Sequence, residues 1–108
     1  MTDKIIVFVT AGKITEARRI ARVLVEGRLA ACVNIIPKIS SVYRWKDRVK
    51  RDEEVLLMIK TRRSRFDALR RSIESLHSYE VPEIIAAPII DGSINYLNWI
   101  EQSVPDAP

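Results

Sequence analysis

His77 is the one imidazole of the chain and Cys32 its one thiol, so any nitrogen- or sulfur-based chemistry starts from these two positions. They lie far apart in sequence, and no third partner stands at a spacing that would make a nucleophile–base constellation. There is no GxSxG elbow, no phosphate-binding GK[ST] loop and no GxGxxG turn, and the three glycines are scattered. No catalytic residue is assigned, and a non-enzymatic role is expected. Cys32, in LAACVN, reads as a small buried hydrophobe at a strand start. His77 opens the polar loop HSYEVP. One histidine cannot close a structural zinc site. A weak site using His77 with carboxylates such as Glu80, or one shared between subunits, stays open. The plain alternative is a helix C-terminal cap.

A second group could hold a small molecule in a cleft between subunits. Tyr79, Glu80, Lys60, Trp45, Tyr96 and Trp99 supply aromatic walls and charges of both signs, the composition of a ligand cleft. The alternative reading is a signalling or interaction module, in which Lys60 with nearby arginines takes the charge of a small anionic ligand or a partner protein binds in that cleft. The same aromatics would serve equally as anchors between subunits, with Tyr43 and Trp45 as the first candidates.

The elements that must position these residues follow from periodicity. Lys4 to Thr10 (KIIVFVT) is a continuous apolar run of strand length, expected to be central and buried on both faces. Thr15 is placed to cap a helix whose inner face is Ala17, Ile20, Ala21 and Leu24, with Gly27 in the left-handed position behind it. Cys32 to Thr61 then alternates with period two on both sides of Lys46-Asp47, where a tight hairpin turn is expected. Pro37 cannot donate to a sheet ladder and marks a bulge. Ser64 with Asp67 resembles a capping box ahead of Phe66, Leu69, Ile73 and Leu76. Glu83 to Ile90 is a fourth strand, put on an edge by Pro88, and Ser93 caps a last helix carrying Tyr96, Leu97, Trp99 and Ile100.

This order is β-α-β-β-α-β plus a helix: an α+β, ferredoxin-like βαββαβ sandwich with a long β-hairpin arm and a C-terminal helix, one domain over residues 1–108. An arm of about fourteen residues spans roughly 46 Å when extended. A domain of this length has a diameter of roughly 33 Å. The arm therefore overhangs its own domain, and self-association through it is expected.

Composition narrows the partners. The 18 basic and 14 acidic residues leave +4, with the arginines spread over several segments, so no nucleic-acid partner is expected. The third strand, VLLMIKT, lacks the aromatics that an RNA-recognition sheet needs. No apolar run reaches the ~20 residues of a membrane span. The start MTDKIIVFVTAG lacks a signal-peptide pattern, and with a lone cysteine this points to the cytoplasm.

Across most of the chain the motifs LAACVN, SVYRW, the ExxLxxKT strand and HSYEVPE occur in order. In this combination the chain resembles the CutA divalent-cation tolerance family. The resemblance implies a ferredoxin-like subunit in a tight homotrimer whose hairpins reach onto neighbours. It also implies tolerance of copper and other divalent cations without catalysis; a partner protein is unknown. Relatives discussed as copper binders carry a cysteine on the first strand and a histidine pair; this chain has Val9 and Leu76 there and keeps only His77. Ser78 stands where the family usually has proline, and Asp47 where the turn usually has glycine.

Overall fold

The computed structural model describes residues 2–107. Chain order is β1 (Lys4–Ala11), α1 (Ile14–Glu26), β2 (Cys32–Trp45), β3 (Arg48–Arg62), a 3-10 turn (Arg63–Arg65), α2 (Phe66–Leu76), β4 (Ile84–Pro88) and α3 (Ile94–Ser103). The strands form one antiparallel sheet in the order β2-β3-β1-β4. This is the ferredoxin-like α+β arrangement, with the long hairpin and the C-terminal helix in place. The long axis of the molecule is 43 Å against 25 and 22 Å across, because the hairpin projects beyond the helical layer.

Helices α1 and α2 cover one sheet face. Ala17, Ile20 and Leu24 of α1 and Leu69 and Ile73 of α2 pack on Ile5, Val7, Val9 and Ala11 of β1 and on Val55, Leu57 and Ile59 of β3. The alternate residues point the other way. On β1 these are Ile6 and Phe8, which are only half-buried, so the expectation that β1 is covered on both faces holds for one face alone. Leu56 and Met58 continue that uncovered apolar face, and Ile36 and Ile85 on its flanks are exposed.

The hairpin contains the feature on which the arm depends. Ile36 pairs with Leu56, but Ile39 pairs with Glu54, so β2 carries one extra residue at Pro37-Lys38. This is the expected bulge, and it exchanges the two faces of β2. Before it, Cys32, Asn34 and Ile36 stand opposite Lys60, Met58 and Leu56; beyond it, Ser41, Tyr43 and Trp45 stand opposite Asp52, Lys50 and Arg48. Tyr43 and Trp45 therefore lie on the same side of the sheet as Leu56 and Met58. Lys46 and Asp47 close the arm with φ of 50° and 63°, the two left-handed residues of a tight hairpin turn.

Several caps differ from expectation. The residue before α1 is Lys13 and its side chain makes no capping bond, so Thr15 falls inside the first turn. The left-handed residue after α1 is Arg28 (φ 58°), not Gly27. A Cβ at Gly27 would lie 3.0 Å from the Val23 carbonyl oxygen, a tight approach that glycine avoids. Ser64 sits in the 3-10 turn and donates to Asp106 (2.5 Å), so the capping box is not formed and α2 starts from Arg65 without a side-chain cap. Ser93 does cap α3, accepting from the Tyr96 amide at 3.3 Å, and β4 is an edge strand.

A charged clamp holds α3 to the sheet. Lys4, 6% exposed, donates to Asp3 and to Glu101 (3.0 Å), while Arg62 donates to Asp3 (3.1 Å) and lies 3.8 Å from Asp106. Burial alone would raise the Asp3 carboxyl, but the hydrogen bonds and charges of Lys4 and Arg62 outweigh it and hold it below its usual 3.8. A carboxyl lowered on folding stabilises the fold above its unfolded value, and that contribution disappears as pH falls through the folded one. Asp3→Asn is therefore expected to cost about 1 kcal/mol at roughly neutral pH, a modest figure because Asp3 is partly exposed. Urea unfolding checks this: the gap between parent and variant closes at about pH 2, whereas a gap that persists in acid assigns Asp3 a packing role.

Candidate functional site

At the base of the arm, the loop after α2 bends over the sheet face that carries Tyr43 and Trp45, and a cleft of about 770 Å³ opens between them. The loop is positioned by His77, which ends α2. Its Nε2 donates to the Thr10 carbonyl (2.7 Å) and its Nδ1 accepts from the Tyr79 amide (3.0 Å), the neutral tautomer those two partners require. Glu16 of α1 secures the next residue, accepting from the Ser78 amide (2.7 Å) and hydroxyl (3.1 Å). Tyr79 packs against His77 with the rings tilted and their centres 4.7 Å apart, and reaches across to donate to Glu54 (2.7 Å). Gly12 gives it room, since a Cβ at that position would approach the Tyr79 hydroxyl to 3.1 Å.

The cleft is acidic. Asp52 and Glu54 of β3 and Glu80 and Glu83 of the loop line it, against the single ammonium of Lys50. Its phenols sense this field. Burial, the hydrogen bond to Glu54 and the surrounding negative charge push the Tyr79 hydroxyl far above the usual phenol range. The hydrogen bond to Asp52, with some burial and the charge of Glu54, raises Tyr43 as well. Glu54 is only 8% exposed although it is a carboxylate.

The sequence-derived ligand group divides between two places. Trp45, Tyr79 and Glu80 line the cleft, joined by Tyr43. Lys60 has the same side of β3 but stands six residues from Glu54, roughly 20 Å along the strand. There its ammonium donates to Asn34. Tyr96 and Trp99 of α3 pack on each other, ring centres 5.3 Å apart, and lie outside the cleft lining. Burial and the neighbouring Cys32 raise the Tyr96 hydroxyl, which places it at the Lys60 end of the sheet. Cys32 itself is half-buried on the open face, not fully buried as expected. Asp52 and Glu54 were not foreseen. The available signal was strand parity: Glu54 shares a face with Leu56 and Met58, an unusual position for a carboxylate.

Among the described residues, no three His, Cys, Asp or Glu side chains come together as a group that could hold a metal ion. Among the same residues, no helix is long and apolar enough to cross a membrane.

Comparison with known proteins places the chain. The family model described as CutA1 divalent ion tolerance protein matches residues 5–103. The CutA homolog of Xenopus laevis is 52% identical over 99 residues, which are 92% of this chain and 66% of the frog protein. The mouse protein CutA is 50% identical and is covered over 54% of its length, so the chain spans about half to two thirds of these curated relatives. Among solved structures, the divalent cation tolerance protein of Thermus thermophilus superposes with a TM-score of 0.92 at 44% identity, covering 94% of this chain and 99% of that one. With fold, motifs, family model and relatives in agreement over nearly all its length, this chain belongs to the CutA1 divalent ion tolerance family.

Proposed function

We propose that this chain acts in divalent-cation tolerance as a non-enzymatic homotrimer, one domain per subunit, in which the hairpin arm and the uncovered sheet face make the contacts between subunits. The observation that carries the reading is the sheet face bearing Ile6, Phe8, Leu56 and Met58, which no element of its own chain covers fully. The arm extends that surface with Tyr43 and Trp45, and exposes Val42 and Val49 on its other face. Apolar surface of this extent seeks a partner, and a second and third copy of the same surface is the economical one. The relatives' printed names supply the physiological context, tolerance of divalent cations. A lone half-buried thiol suits a reducing compartment such as the cytoplasm. The competing reading, a signalling or interaction module that takes a small anionic ligand or a partner protein in a cleft between subunits, loses support for the anion because the aromatic cleft is acidic.

Light scattering of the intact protein is expected to give three times the chain mass. Trp45→Ala or Tyr43→Ala should raise the dissociation constant by about tenfold or more, some 1.4 kcal/mol, and Trp99→Ala should change it less. A monomeric parent, or an equal effect of Trp99→Ala, refutes the role of the arm.

Copper is the cation for which His77 is the natural ligand, since Cu(II) prefers imidazole nitrogen to carboxylate oxygen. Both ring nitrogens are already hydrogen-bonded, so an ion would have to displace the Tyr79 amide from Nδ1, and the affinity should be modest. Calorimetric titration of the oligomer with Cu(II), beside His77→Ala, is expected to show weak uptake that the variant loses. Unchanged uptake in His77→Ala would locate copper elsewhere.

A further inference from the structure

We infer that the helical layer of this chain is a docking surface for a partner protein that presents a carboxylate-rich segment with apolar residues among its acids. The inference goes beyond cation tolerance. It rests on the assembly proposed above only in that the sheet face and the arm turn inward there, which leaves α1 and α2 outward.

The net charge is not shared evenly. Residues 13–28 and 63–76, which hold α1, the 3-10 turn and α2, carry nine basic and four acidic side chains, whereas the remainder carries nine and ten. These segments are apart in sequence, but the fold lays both helices on one face of the sheet. Ala17, Ile20 and Leu24 face the core, so Arg18, Arg19 and Arg22 lie on the solvent side of α1; Leu69 and Ile73 leave Arg71 outward on α2 in the same way. Three of the four acids are already engaged. Glu74 accepts from Arg70 (2.7 Å), Glu26 lies 4.0 Å from Arg22, and Glu16 holds the Ser78 amide. Among the described residues, Arg18, Arg19, Arg63 and Arg71 are exposed and belong to no ion pair.

The kind of cation says more than the charge. Eight of the nine cations of the helical layer are arginine, whereas lysine supplies five of the nine elsewhere, so arginine is not a habit of the whole chain. A merely solvated face is served well by the strongly hydrated ammonium of lysine; a guanidinium is weakly hydrated and forks onto planar carboxylates or onto phosphates. Arginine is also enriched, and lysine depleted, where proteins meet. An anionic lipid surface attracts either cation and has no need of the fork. Apolar contact decides between the remaining two partners. Val23 and Val25 of α1 are 38% and 42% exposed, about one helical turn beyond Arg19 and Arg22. Valine beside arginine offers apolar area to bury together with charge, which a protein segment can use and a bare phosphate chain cannot.

Fluorescence anisotropy on the full chain in its native oligomeric state, at about 0.15 M salt, tests this with a labelled peptide of repeated Glu-Glu-Leu. Saturable binding with a dissociation constant of about 0.1 mM or tighter is expected, and the same peptide with glutamine for glutamate should not bind. Arg18→Lys with Arg19→Lys keeps the charge and removes the forks. It should weaken binding about fivefold or more, with circular dichroism and oligomeric mass unchanged. Arg71→Lys on α2 is a separate variant expected to act in the same direction. The inference is overturned if the peptide shows no saturation up to about 1 mM, or if both lysine variants bind it as the parent does, which would mark plain charge attraction. Tighter binding of inorganic polyphosphate of matched charge assigns the face to phosphate chains and overturns it too. So does co-sedimentation with phosphatidylserine vesicles that the lysine variants retain. Light scattering reads assembly separately: a monomeric chain that still binds the peptide refutes the trimer and not this surface.

Discussion

One additional residue at Pro37-Lys38 decides what the arm presents. A strand reverses its two faces with every single-residue shift of register, so an uninterrupted β2 would carry Val42 and Arg44 on the side where Tyr43 and Trp45 now stand. The bulge brings the aromatic pair over to the side of Leu56 and Met58, where it can face the loop that follows α2. Without that inversion the cleft would lose two of its three aromatic walls. Proline suits the position because a bulge leaves an amide unpaired, and proline has none to leave.

The loop from His77 to Glu83 supplies the opposite wall, and it is held by polar contacts more than by packing. His77 and Glu16 anchor its start to β1 and α1, and Tyr79 joins its middle to Glu54. In this arrangement an imidazole that would be the obvious metal ligand in sequence serves the backbone on both of its nitrogens. The chemistry of the cleft then rests on carboxylates and phenols. The contrast with the family name is informative: cation tolerance names a phenotype of relatives, whereas the acidic, aromatic cleft is a property of this chain.

Much of the fold was legible because periodicity and punctuation agreed. KIIVFVT as a central strand (covered on one face only), the two arms around Lys46-Asp47, the Pro37 bulge, the edge placement of Pro88 and the Ser93 cap appear as read. Caps at α1 and α2 were less legible, since Thr15 and Ser64 have the right chemistry one or two residues from where the backbone turns. Ser64 found a better acceptor in Asp106, a partner that only the folded chain brings near. The residues of the ligand group fall at two places within one chain. Period two places Lys60 and Glu54 on one side of β3, but it carries no information on which loop will arch over which end. Glu54 itself was overlooked because a carboxylate in a strand looks like a solvent-facing residue until its neighbours Leu56 and Met58 are seen to share its side.

The two prolines of the sheet have a consequence for the life of the protein in a crowded solution. The sheet's open edges are β2 and β4, and each contains one proline, Pro37 and Pro88. A sheet edge grows by lending its amides and carbonyls to an arriving strand, and a proline breaks the row of donors it offers. A chain that displays an uncovered apolar face and a long ribbon would otherwise be a template for fibril growth. Pro88 ends the donor row of β4 and Pro37 divides that of β2, so each border offers an arriving strand a shorter ladder than its length suggests, which disfavours open-ended polymerisation.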